Sequence, residues 1–388
     1  MMEKVRLGDV FSFIRNGANI KQGLDDSGYP ITRIETISDR TVNREKMGYA
    51  GITDVSKYDD YILQDGDILM SHINSEKHLG KTAIYKKQDE EKIIHGMNLL
   101  CLRPEKSVIL PEYAFYFLSS VAFLRQIPNI TKKSVNQASF TVTALKELSF
   151  AKCNIDEQKK IIDELDKVTS LIDIRKMQLE SLDEIVKARF VELFGDQKTN
   201  PFGWEQCTIG KCCTLKSGTS LPSEVENEGG PIPYIKVGDM NYPGNERYIT
   251  TSSRYVSEAT AGKGLFEVGS ILFPKRGGAI GTNKKRMTKL PVCADLNVMG
   301  VSSKGRLRPE YLLAYFDMID LGALSDGSSV PQINNKNIAP LVICLPPLEL
   351  QEQFATFVEQ TDKSKLEVKK SLEKLELLKN ALMQKYFG

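Results

Sequence analysis

Apolar positions recur with a four-three spacing along two long stretches of the chain. In the first they fall at Ile161, Leu165, Val168, Ile172, Leu179, Leu182, Val186 and Leu193, with Arg175 and Arg189 on the same stripe and neither Pro nor Gly between Ile155 and Phe194. This spacing predicts a single long helix with one apolar seam. The second stretch carries the matching seam Phe354, Val358, Val368, Leu372, Leu375 and Leu382, weakened by Thr361, Lys365, Lys379 and Tyr386. A helix of about forty residues rises roughly 60 Å, more than one small domain covers. The two seams are therefore expected to bury each other, and the connectivity makes the pairing antiparallel, with Gly388 returning beside Met1.

Elsewhere the pattern changes to short β-rich runs. These are Pro30 to Ile37, Gly66 to Ser71, Lys81 to Lys86 and Met97 to Leu102, then Pro233 to Val237, Ser270 to Pro274 and Leu296 to Val301. Each set is accompanied by one apolar-faced helix, near Glu112 to Gln126 and near Glu310 to Leu321. Two α+β globules are expected, each of roughly 150 residues, a common domain size.

The two halves repeat. A shift of 193 residues places Gln158 on Gln351, Ile161 on Phe354, Leu165 on Val358, Ala188 on Ala381 and Phe194-Gly195 on Phe387-Gly388. Upstream, Gly66-Asp67-Ile68-Leu69 matches Gly269-Ser270-Ile271-Leu272, and Pro111-Glu112-Tyr113 matches Pro309-Glu310-Tyr311. Ser134-Val135-Asn136-Gln137 is aligned with Ser329-Val330-Pro331-Gln332. The expected architecture is α+β, a pseudo-two-fold tandem repeat in which two similar α/β-mixed domains (1–152 and 196–345) are separated by two long antiparallel coiled-coil helices (153–195 and 346–388).

Composition narrows the class. The chain is 41% hydrophobic and 26% charged, the balance of a folded globular protein. Its start, MMEKVRLGDV, has no signal-peptide core, and no apolar run reaches the roughly 18 residues of a membrane span, so a cytoplasmic location is expected. Seven scattered cysteines argue for reduced, mostly buried thiols, and Cys207, Cys212 and Cys213 lack a second ligand pair with zinc spacing. No metal is expected.

Catalytic signatures are weak. Asn200-Pro201-Phe202-Gly203 touches the Asn-Pro-Pro-Phe/Tyr motif of amino-methyltransferases, but it lacks the second Pro and follows a helix end, which fits a helix stop and linker. Gly277-Gly278-Ala279-Ile280-Gly281 lacks the Lys-Ser/Thr of a phosphate loop. The three histidines, His72, His78 and His95, have no counterparts in the second half. The chain is expected to be non-catalytic.

A net charge of +2 does not announce nucleic-acid binding, but the distribution does. In the first globule one loop carries Ser71, His72, Asn74, Lys77, Lys81, Lys86 and Lys87, and a later one Lys132, Lys133, Ser134, Asn136 and Gln137. In the second, Lys263, Lys275, Arg276, Lys284, Lys285, Arg286 and Lys289 precede a polar loop with Ser328, Ser329, Gln332, Asn334, Asn335 and Lys336. A single such cluster is usually a solvated loop; paired placement in both copies points to double-stranded DNA, with Lys and Arg on phosphates and Asn, Gln, Ser and Arg on base edges.

With "ELFGDQKTNPFGWE" ending the first helix, "LPPLELQEQ" opening the second, and "GDIL" and "GSIL" in the globules, the whole chain resembles the specificity (S) subunit of type I restriction-modification systems, the HsdS family. The first helix departs from the Pro-rich opening, since "FAKCNIDEQ" stands there. The resemblance implies two target recognition domains that each read half of a bipartite DNA site, and helices that set the spacer. It also implies docking of two methyltransferase (M) subunits, which bring S-adenosylmethionine, and of restriction (R) subunits, which use ATP; no cofactor is expected on this chain. Two other readings are a stand-alone adenine methyltransferase, which methyl transfer by the pure chain reveals, and a scaffold without a DNA role, which salt-independent binding reveals.

Overall fold

The computed structural model describes residues 2–23, 27–37, 41–134, 137–226, 229–325 and 330–388, the side chain of Lys263 apart. Two compact units emerge, Met1–Lys176 with Lys370–Gly388, and Met177–Lys369, so each holds one globule and part of both long helices.

The long helices are Ile155–Phe194 and Leu348–Phe387, 40 residues each. In the first unit Arg175 Nε donates to Ser371 Oγ at 3.2 Å, while Leu382, Met383 and Tyr386 pack on the core that holds Ile161 and Leu165. In the second, Lys365 Nζ reaches Asp183 at 2.6 Å and the rings of Phe190 and Phe354 lie 5.5 Å apart. Within each unit the two segments therefore run antiparallel. Ile161, Leu165, Val168, Ile172, Val186, Phe354, Val358 and Val368 are buried, and Leu179, Leu182, Leu193, Leu372, Leu375 and Leu382 are half-buried. Toward the end of the first helix the buried stripe moves from the expected Arg189 and Leu193 to Phe190 and Phe194, as a 3.6-residue helix drifts against a 3.5-residue count.

In the first globule four antiparallel strands stand in the order Phe11–Asn16, Leu99–Pro104, Ile68–Ser71, Thr82–Ile84. The second holds a five-stranded sheet in the order Cys213–Ser217, Val298–Ser303, Ile271–Pro274, Arg286–Thr288, Tyr248–Ile249, the last joined in parallel, and a four-stranded one in the order Tyr255–Val256, Ile232–Ile235, Val292–Ala294, Leu265–Phe266. A separate pair ties each globule's start to its end: Glu3–Arg6 with Ser149–Lys152, and Glu205–Thr208 with Val342–Leu345. The expected run Pro30 to Ile37 forms a 3-10 turn over Ile34–Ile37 instead, with Ile31 bridged to Gly48 and Ile94. The expected helix from Glu112 to Gln126 breaks at Ser120, which turns extended and caps the next short helix, Val121–Leu124, through its hydroxyl.

One clamp recurs in both units. Gln158 is fully buried; its Oε1 accepts from Leu110 N at 2.8 Å, and its Nε2 donates to the carbonyls of Val108 at 3.1 Å and Cys153 at 2.8 Å. Gln351 does the same with Arg308 N at 2.8 Å, Arg306 O at 3.2 Å and Pro346 O at 2.8 Å. Each carboxamide fixes the start of a long helix to its own globule, with both amide hydrogens donated and the oxygen accepting one bond. A second pair is conserved in role but not in chemistry. Buried Asp67 holds Arg103 through two contacts of 2.7 Å, and at the matching positions Ser270 and Ser302 share a hydrogen bond of 2.8 Å.

Candidate nucleic-acid interface

In the first unit, strand Ile73–Asn74 pairs with Ala138–Ser139, which pairs in turn with Lys132–Lys133. The two polar loops that lie far apart in sequence thus share one small sheet. Lys77, Lys132, Lys133, Ser134 and Gln137 are exposed on it, and Lys81 and Asn74 are half-buried. Lys133 pairs with Glu76 at 2.9 Å, and Ser134 ties the turn through its amide and hydroxyl to Gln137 O, both at 2.8 Å. Asn74 accepts from Ser75 N at 2.7 Å and donates to Ser71 Oγ at 3.4 Å.

The second unit builds the same junction. Gly277 N donates to Pro331 O at 2.8 Å, Ile333 N to Lys275 O at 2.9 Å, and Arg276 bridges Gln332. Lys275 Nζ donates to Ser217 Oγ at 3.0 Å, leaving Arg276 exposed beside it. Asn334 caps the short helix Asn335–Ile338, whose Asn335 and Lys336 are exposed. The amide of Phe140 reaches His72 O as that of Ile333 reaches Lys275 O, so Phe140 is the structural partner of Ile333. The expected match of Gln137 with Gln332 is therefore two residues out, and Ser139 takes that place.

Several expected contact residues lie elsewhere. Ser71 and His72 are buried at the end of a core strand, and burial pushes the His72 imidazole down to about 4, which keeps it neutral beside the Phe140 ring. Lys285 is buried as well; its ammonium is spent on Asn283 Oδ1 at 2.8 Å and Ile319 O at 2.6 Å, and desolvation lowers its pKa. Arg286 is half-buried against the carbonyls of Lys285 and Met240, and Lys284 donates to Asn241. These side chains brace a loop in place of facing solvent, because the strand that follows is drawn inward by buried Met287 and by Thr288, whose hydroxyl donates to Glu267 O at 2.7 Å. Ser328, Ser329, Val135 and Asn136 lie outside the described residues.

The Asn-Pro-Phe-Gly segment is a turn. Asn200 adopts a φ of +46° and both ends of its amide are bound to Trp204, Nδ2 to the carbonyl and Oδ1 from the amide, each at 2.9 Å. Gly195 closes the helix at φ +72°, where an added Cβ meets Pro201 at 2.5 Å. The Sγ atoms of Cys212 and Cys213 lie 3.9 Å apart, both buried, and burial raises both thiols. Met97 and Leu296, expected to open strands, lie outside them. They precede them, on exposed turns next to the polar junctions.

Two copies of one mixed α/β domain, each with a polar junction and each clamped to a long helix, define a duplicated recognition protein. Residues 1–184 and 201–378 each match the type I restriction modification DNA specificity domain, and the chain belongs to that family. It is 33% identical over 402 aligned positions to the protein named as the type I restriction enzyme MjaX specificity subunit of Methanocaldococcus jannaschii, covering 97% of this chain and 90% of that one. It is 23% identical over 182 residues to the EcoKI specificity subunit of Escherichia coli, across 47% of this chain and 39% of that one. Among solved structures, the S subunit of the type I restriction-modification system from M. genitalium shares the fold at a TM-score of 0.57 and 16% identity, covering 100% of this chain and 96% of that one. A chain from work on complex assembly and conformational transition of the type I R-M system does so at 0.58 and 18%, covering 100% and 97%.

Proposed function

We propose that this chain is the DNA-recognition subunit of a type I restriction-modification complex, each globule reading one half of a bipartite target and the paired helices setting the spacer. The observation that carries it is the repeated junction, Ile73 with Ser139 and Arg276 with Gln332, which brings together Asn74, Lys132 and Gln137 in the first domain and Arg276, Gln332 and Lys336 in the second. Such side chains supply phosphate contacts and base-edge hydrogen bonds. Half-sites read from one face of B-DNA lie about 34 to 36 Å apart, a separation that helices of roughly 60 Å can set.

In this reading the chain performs no transfer chemistry. Methyltransferase subunits dock on the helices, bring S-adenosylmethionine and flip the adenine, and restriction subunits supply ATP-driven cleavage. No helix among the described residues is long and apolar enough to cross a membrane, which suits a subunit that works on chromosomal DNA. Mapping methylated adenines in cells that carry this chain with its methyltransferase tests the proposal. The expected result is one two-part motif with a fixed gap, which changes in length when a heptad is removed from Ile155–Phe194 and matched in Leu348–Phe387. An unsplit motif, or an unchanged gap with full methylation, overturns it.

A further inference from the structure

An apolar side chain stands exposed at the same point of both globules. Met97 is 43% exposed and Leu296 44%, each on the turn that leads into the central strand, Leu99–Pro104 or Val298–Ser303. Each is followed by an Asn, Asn98 or Asn297. Isolated exposed apolar residues are common and usually carry no meaning; these two differ in being repeat-related, rigidly held and set into a polar junction.

Rigidity follows from the backbone. At Gly17 an added Cβ lies 2.1 Å from Gly96 O, and at Gly218 it lies 2.1 Å from Asp295 O, so only glycine lets these segments meet. Met97 N donates to Ala18 O at 3.0 Å, and Asn98 holds a φ of +77°. In the second copy Asp295 Oδ1 accepts from Asn297 N at 2.9 Å and Asn297 Nδ2 at 2.7 Å, closing the turn under Leu296. Placement follows from the register. Lys275 N donates to Asn297 O at 2.9 Å, which sets Leu296 beside the Arg276–Gln332 bridge. In the first copy the ladder ends at Ser71 with Leu99, one step before His72 and Asn98, and Ile73 pairs with Ser139 just beyond.

We infer that Met97 and Leu296 are specificity-determining residues that each touch a thymine 5-methyl group, one in each half-site. The inference rests on the DNA-reading function proposed above. The adjoining junctions hold Asn74, Lys132 and Gln137 in one copy and Arg276, Gln332 and Asn335 in the other, side chains whose donor and acceptor sets match major-groove base edges. The thymine methyl is the apolar feature which that groove displays. A wedge between base pairs belongs to minor-groove binding and deformation of the duplex.

The test uses the full chain assembled with its methyltransferase subunits and duplexes carrying the mapped motif. Each thymine of the two half-sites is replaced singly by deoxyuridine, which removes only the methyl. One position in each half-site is expected to lose about four-fold in affinity, the worth of one buried methylene-sized group. Met97→Ala abolishes that loss in the first half-site alone and Leu296→Ala in the second alone, whereas Met97→Leu retains it. Deoxyuridine effects that persist in the alanine variants overturn the inference. So does a half-site without A·T pairs, or a variant-sensitive rise in 2-aminopurine fluorescence without deoxyuridine sensitivity, which reports a wedge. If the parent complex shows no sequence preference, the function proposed above fails; if preference is intact and only the methyl effects are absent, this assignment alone fails.

Discussion

The ring of Phe387 lies edge-on to that of Tyr113, with centroids 5.4 Å apart, and closes a core whose other buried residues run from Leu7 to Leu165. Phe194 makes the same contact with Tyr311 at 4.7 Å. Both tyrosines are fully buried, and their hydroxyls donate to Ala151 O and Cys344 O, each at 2.9 Å. A helix end that reads Phe-Gly therefore acts as a plug. The segment ending Leu-Phe-Gly fills the second unit, and the one ending Tyr-Phe-Gly fills the first.

Removing either plug leaves a cavity lined by aromatic rings. Phe387→Ala is expected to cost about 3 to 5 kcal/mol, paid mainly by the first unit, and Phe194→Ala the same in the second. Limited proteolysis in mild urea reads the difference, with new cuts falling in residues 1–150 for the first variant and 205–345 for the second. Identical cutting patterns contradict the assignment of plugs to units.

The exchange of an ion pair for a serine pair makes a sharper test. Asp67 is 1% exposed and Arg103 19%, so Asp67→Ser leaves a half-desolvated guanidinium unpaired. That change is expected to cost about 3 to 5 kcal/mol. The double variant Asp67→Ser/Arg103→Ser installs the pair found at Ser270 and Ser302 and recovers most of the loss. Chemical denaturation of the three proteins, read as a double-mutant cycle, measures the coupling.

Acid should weaken the first globule in two steps. Burial pushes His72 and His95 down to about 4 from their ordinary 6.5, so the folded state binds fewer protons than the unfolded chain between those values. Their contribution is complete above pH 6.5 and is lost as pH falls toward 4. Glu91, hydrogen-bonded by Arg44, is held at about 2 against an ordinary 4.5, so its contribution disappears in the lower range, from 4.5 downward. The urea midpoint is expected to drop between pH 7 and pH 5, and His72→Gln with His95→Gln to flatten that drop.

The seams and the repeat were legible because helical periodicity and a constant register leave marks at every third or fourth residue. Phe190 and Phe194 were missed as seam residues since an ideal four-three count does not follow the drift of a real helix. The polar loops were placed in the right globules, yet sequence gave no sign that Ile73 meets Ser139 or Arg276 meets Gln332, because long-range strand pairing is set by the fold around it. The basic run Lys284-Lys285-Arg286 misled for a related reason. Charge in a sequence is read as solvated surface, but here the run leads into the short strand Arg286–Thr288, and Lys285 is folded under the loop onto Asn283 and the Ile319 carbonyl.

That distinction predicts how salt acts on DNA binding. Lys132 and Arg276 are exposed at the two junctions, whereas the Lys285 ammonium is held by Asn283 and Ile319 inside the second globule. A side chain that neutralises a phosphate releases counterions, so each lost contact lowers the slope of log affinity against log salt by about 0.9. Lys132→Gln and Arg276→Gln are each expected to show that decrement in the assembled methyltransferase, measured between about 50 and 200 mM salt, with the recognised motif unchanged. Lys285→Gln leaves the slope at the parent value and lowers the denaturation midpoint, because the Ile319 carbonyl loses its ammonium donor and the shorter side chain leaves the buried lysine site underfilled. A reduced slope for Lys285→Gln in a protein of parent stability contradicts the buried placement; parent slopes for both Lys132→Gln and Arg276→Gln remove the junctions from the DNA-contacting surface.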